Sequence, residues 1–121
     1  MEENTIAALS DAPVNLKELE ESLEVDGARE IAAGFMEDVA AVPDRLTIAL
    51  QTRDKEGVRS AAHLLKGCCL IIMAQKTAEL ASNMERLAIT GDFDQCDQLL
   101  PDLMDSLDAT VSCLEAYLDE R

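Results

Sequence analysis

Apolar residues recur at three- and four-residue spacing along most of the chain, the pattern of amphipathic helices. Leu16, Leu19 and Leu23 mark one face of a short first helix. Asn15 precedes it as an N-cap, with Glu18 in the capping-box position. This helix is expected to end near Val25 and to lie across one end of a bundle as a lid. Asp26 can cap a longer helix, in which Ala28, Ile31, Ala32, Phe35, Met36, Val39, Val42, Leu46, Ala49 and Leu50 keep the period. Pro43 interrupts that run. Because the apolar pattern continues past it, a kink is expected there rather than a break.

Thr52-Arg53-Asp54 reads as a turn, with Asp54 capping a helix from Lys55 to about Ile71. The following turn falls near Ile72-Met73-Ala74, without a Gly or Pro to mark it. Gln75 to Thr90 then reads as a helix with Thr77, Leu80, Ala81, Met84, Leu87 and Ala88 inward, and Gly91 suits the position just past its end. Asp92 with Gln95 starts a last helix that carries Phe93, Cys96, Leu99, Leu100, Leu103, Leu107, Val111, Leu114 and Leu118 towards the C-terminus. Pro101 is expected to bend or divide it. Residues 1–13 carry weaker signals: a helical turn over Thr5 to Leu9, ended by Pro13. They read as an extension to one domain spanning residues 14–121. The fold class is therefore all-α.

Composition supports this. Apolar residues make up 48% of the chain and aromatics 2%, so the core must be built from Leu, Ile, Val, Ala and Met. No apolar run reaches the ~18 residues a membrane span needs. Met1-Glu2-Glu3 lacks the basic-then-apolar pattern of a secretion signal. A cytoplasmic location follows as the expectation. Cys68, Cys69, Cys96 and Cys113 are then reduced thiols, and without C-x-x-C spacing among them no metal site is expected.

The net charge is −15, unevenly spread. Residues 45–86 hold seven of the ten basic residues against four acids, a local balance of +3, while the remainder carries −18. Nucleic acid is a poor partner for such a chain. A protein with an acidic pocket suits the basic part better.

That basic part contains the one histidine. Val58, Ala62, Leu65, Cys69 and Ile72 form the apolar face of its helix. At the roughly 100° step of a helix, His63 lies about 160° from Leu65 and points outward. Arg59, Lys66, Gly67 and Leu70 share its side. A neutral imidazole has a lone pair for attack, and the reference pKa of histidine, about 6.5, leaves part of it neutral in a cell. Lys66 can stabilise negative oxygens placed on the ring. Gly67, which costs about 1 kcal/mol inside a helix, either lets another helix approach or leaves room for an incoming partner. The combination suits a nucleophile that takes a phosphoryl group from another protein.

Ala62-His63-Leu64-Leu65-Lys66-Gly67-Cys68-Cys69 resembles the A-H-x-L-K-G motif, followed by small residues, of the histidine-phosphotransfer (HPt) domain of bacterial two-component phosphorelays. Helix lengths and loop placement extend the likeness from about Val14 onwards. The resemblance implies an up-down four-helix bundle with a short additional N-terminal helix. It implies that His63 accepts a phosphoryl group from a receiver-domain aspartate and gives it to another, with Lys66 stabilising the group and Gly67 giving access. Arg59, Leu64 and Leu70 would line the docking surface for response-regulator receivers or a hybrid histidine kinase. No cofactor of its own is implied, since magnesium would come with the receiver, and no autokinase activity. The family often holds the second ring nitrogen from the next helix. Glu85 is the candidate by distance along the chain, although a surface Glu on an i,i+4 ladder would look the same. Relatives often carry a glycine about ten residues after the histidine, where this chain has Met73.

Two other functions remain open at this stage. A helical adaptor could bind receivers or kinases without carrying phosphate. A thiol sensor could use Cys68 or Cys69, given an exposed thiol of low pKa.

Overall fold

The computed structural model describes residues 12–120. Among these, five helices follow one another: α1 (Leu16–Val39), α2 (Val42–Gln51), α3 (Lys55–Ile71), α4 (Gln75–Ile89) and α5 (Phe93–Asp119). The expected turn over Thr5–Leu9 lies outside the described residues. α1 and α2 succeed each other along one corner of a four-helix bundle, and α3, α4 and α5 occupy the others, α3 and α4 packing most extensively. Three-residue turns between α2, α3, α4 and α5 reverse the chain each time, the up-down arrangement.

Side-chain caps set most helix starts. Asn15 accepts the Glu18 amide at 3.0 Å and donates to the Glu18 carboxylate at 3.3 Å. Asp54 accepts the Gly57 amide and Asp92 the Gln95 amide, each satisfying an amide that has no partner within the helix. The predicted Lys55–Ile71 span matches α3. Its end is made by Met73, which takes the left-handed conformation (φ 63°) while the Ala74 amide reaches back to the Cys69 carbonyl at 2.8 Å. Met73 thus fills a glycine's place. Gly91 does the same after α4 with φ 75°.

Three expectations are corrected. The break in α1 falls at Glu24 (φ 63°, ψ 172°), close to the expected end near Val25, but Asp26 lies inside the helix beyond it rather than capping it. Pro43 does not kink a continuous helix: α1 stops at Val39, and Pro43 sits in the first turn of α2. There its missing N–H has no partner to lose. Pro101, by contrast, lies inside α5 without dividing it. Leu80 and Leu87 are only half-buried, and Ala78 takes a core place in α4.

The core is aliphatic. Val58, Ala62, Leu65, Cys69 and Ile72 are all fully buried. At ~25 cal/mol per Å² of apolar surface, burial of such side chains is the main stabilising term. The first turns of α1 cover one end as expected: Leu19 is fully buried, and the Tyr117 hydroxyl donates to Glu20 at 2.6 Å. Arg29 closes the same end by donating to the carbonyls of Tyr117, Leu118 and Glu120, at the end of α5 where carbonyls run short of helical donors; that of Tyr117 also accepts the Glu120 amide. Nothing in the periodicity of the chain pointed to Arg29. Among the described residues the buried side-chain polar atoms are all satisfied, as in the chain Ser106–Thr77–Thr110.

Candidate functional site

α3 buries one face so completely that its opposite face is held rigidly outward. His63 stands on it with its side chain 62% exposed. Facing it across the α3–α4 seam is Glu85, whose side chain is only 13% exposed. Nδ1 of His63 lies 2.9 Å from Oε2 of Glu85. The other carboxylate oxygen is 3.1 Å from Nζ of Lys66. Burial pushes the Glu85 carboxyl up, but the hydrogen bonds from Lys66 and His63, with their charge, outweigh it and leave the group below its ordinary range. Glu85 is therefore an ionised acceptor at neutral pH. Nδ1 therefore donates to Glu85, so in the neutral ring the lone pair is on Nε2. A neutral ring so fixed has a defined tautomer, and its exposed Nε2 has the lone pair a nucleophile needs.

The resemblance expected a side chain on α4 to hold the ring, and Glu85 occupies that position. The link from Lys66 to Glu85 was not expected. Arg59 is paired as well. Its Nη2 and Nε donate to Glu56 at 2.6 and 3.0 Å, and its Nη1 stays 4.0 Å from Glu85. The bond to Glu56 raises the Arg59 pKa and lowers that of Glu56. Both cations beside the ring thus have carboxylate partners.

The opposite flank is bare. A Cβ at Gly67 would meet nothing within 4 Å, so no helix among the described residues packs against this glycine. By the roughly 100° helical step, Leu64 and Ile71 fall on the Gly67 flank and Leu70 on the Lys66 flank. All three are exposed, Ile71 at 61% and Leu70 at 57%. Ile71 was passed over in the sequence because it neighbours the buried Ile72 and ends the helix. It borders a shallow groove against α1, formed with Ile31, Gly34, Phe35, Asp38 and Cys68.

A family model described as the Hpt domain matches residues 7–119. The chain belongs to the Hpt domain family. No curated protein and no solved structure matches it. Hpt domains serve phosphotransfer in two-component signalling and are phosphocarriers, not kinases.

This Hpt domain has four free cysteines. Burial pushes the Cys69 thiol up to about 12, and burial with the charge of Asp38 raises Cys68. These shifts run against the thiol-sensor function, which needs a stabilised thiolate. Among the described residues, no three His, Cys, Asp or Glu side chains cluster as metal ligands. No helix among them is long and apolar enough to cross a membrane.

Proposed function

We propose that this Hpt domain relays a phosphoryl group between receiver-domain aspartates through Nε2 of His63. The observation that carries this reading is the exposed ring with Nδ1 tied to Glu85 and its free edge beside the bare Gly67. An aspartyl phosphate approaching along the Gly67 flank meets the Nε2 lone pair. Phosphorus passes to nitrogen, and the aspartate leaves with the bonding electron pair. Lys66 answers the charge on the phosphoryl oxygens. Magnesium and the acidic pocket around the aspartate belong to the receiver, and this chain contributes neither. Without a nucleotide-binding loop of its own, it does not phosphorylate itself.

Docking on a response regulator or a hybrid kinase uses the exposed Leu64, Leu70 and Ile71 around His63, with Arg59 at the edge. Such a transient contact need bury only about 1,200 Å² or less. We place the protein in the cytoplasm, where receivers act.

The test is incubation with receiver domains phosphorylated by acetyl phosphate. A label on this chain that is acid-labile, base-stable and lost in His63→Gln supports the relay. Stable receiver binding with no label on either protein form would instead favour the phosphate-free adaptor.

A further inference from the structure

Given that His63 accepts the phosphoryl group, we propose that Glu85 is the resting partner of Lys66 and releases it on loading. The ammonium moves from Oε1 of Glu85 to the phosphoryl oxygens, while Oε2 keeps its bond to Nδ1.

The two carboxylate oxygens divide the work: Oε2 faces the ring at 2.9 Å and Oε1 faces Lys66 at 3.1 Å. Glu85 is the more enclosed partner and Lys66 the freer one, with 30% of its side chain exposed. A flexible four-carbon stem lets the ammonium swing, whereas the carboxylate has little room. Lys66 and His63 are three residues apart on one helix, so the swing is short.

Charge balance favours the exchange. Before loading, a neutral ring, one ammonium and one carboxylate sum to zero. In transfer, the Nε2 lone pair forms the N–P bond, and the P–O bond breaks with its electrons going to the departing carboxylate. The Nδ1 proton stays where it is. The ring becomes a phosphorylated imidazolium carrying a doubly negative phosphoryl group. The Nδ1–H bond to Glu85 is now charge-assisted and stronger, so the carboxylate is neutralised by the ring alone. The ammonium is then drawn to the new dianion. Arg59 is a poorer substitute, because two of its nitrogens already donate to Glu56. Glu85 is on this view a positioning residue twice over, for the ring always and for Lys66 only between transfers.

The experiment follows the mobility of the Lys66 ammonium by 15N relaxation, assigned with Lys66→Met, in the wild type and in Glu85→Gln. Each protein is measured unloaded and after loading with phosphoramidate, which needs no receiver, with the N–P bond followed by 31P resonance. Glu85→Gln is expected to raise the mobility severalfold in the unloaded protein and to leave it unchanged in the loaded one. An equal rise in both states would mean that Lys66 never leaves Glu85. No rise in the unloaded protein would mean that it was never held there. Either result overturns the exchange while leaving His63 as acceptor. Failure of phosphoramidate to load His63 would remove the acceptor itself, and the exchange with it.

Discussion

Gly67 lies one helical turn from His63 on the same face of α3, with open space where its side chain would be. Packing therefore does not require the glycine. Gly67→Ala should stabilise the fold by about 0.5–1 kcal/mol, because alanine loses less backbone entropy in a helix. Gly67→Gln should fold normally yet slow transfer from a phosphorylated receiver by about tenfold or more, roughly 1.4 kcal/mol of barrier. Thermal unfolding and single-turnover transfer separate the two effects. Undiminished transfer by folded Gly67→Gln would sink the access argument.

The Glu85 carboxyl supplies a pH signature. Its folded pKa lies below the ordinary 4.5. A group lowered on folding stabilises the protein above its unfolded pKa, and that stabilisation disappears as pH falls through the folded one. Denaturant unfolding of the wild type and Glu85→Gln should therefore show a stability gap at neutral pH that closes as pH drops below about 4.5. A gap that widens with acid would contradict the two hydrogen bonds assigned to Glu85.

The two helical prolines should respond oppositely to replacement. Pro101 lies within α5, where a missing N–H leaves the carbonyl of residue 97 without its helical donor. Pro101→Ala should raise stability by about 1–3 kcal/mol. Pro43 is in the first turn of α2 and loses nothing there, so Pro43→Ala should change stability by less than about 0.5 kcal/mol. Equal responses in urea unfolding would show that the two positions have been misjudged.

How far the sequence revealed these features depended on whether a local signal existed. Asp54, Asp92 and Gly91 act within one turn of themselves, so the starts of α3 and α5 and the end of α4 could be read directly. The break after Val39 has no such mark: Ala40 and Ala41 are good helix formers, and the apolar period runs through them. Pro43 was the visible clue, and its two meanings, kink or first turn, cannot be told apart from spacing alone. His63, Lys66 and Gly67 shared a helix face, so their grouping followed from the period. The carboxylate that joins His63 to Lys66 comes from another helix, nearly twenty residues beyond Lys66. Only the α3–α4 packing brings it there. Arg29 reaching the end of α5 is legible in no local pattern at all.

Two left-handed residues offer a contrast in strain. Glu24 is exposed and adopts φ 63° with ψ 172°, a region that is essentially glycine's. Glu24→Gly should relieve part of a strain of order 1–3 kcal/mol and stabilise the fold by about 1 kcal/mol net. Met73 has φ 63° as well but packs partly on the core. Met73→Gly gives up that burial and should come out near neutral. Calorimetry on both variants decides the point, and a large loss from Glu24→Gly would mean that its conformation carries no strain.

Arg59 answers to Glu56 and Lys66 to Glu85, so the basic strip around the ring broadcasts little positive field of its own. What an acidic collision partner senses from afar is the whole molecule, at −15. Approach is thus uphill until surfaces touch. Added salt should quicken the encounter by screening that repulsion, where a nakedly cationic patch would have been slowed.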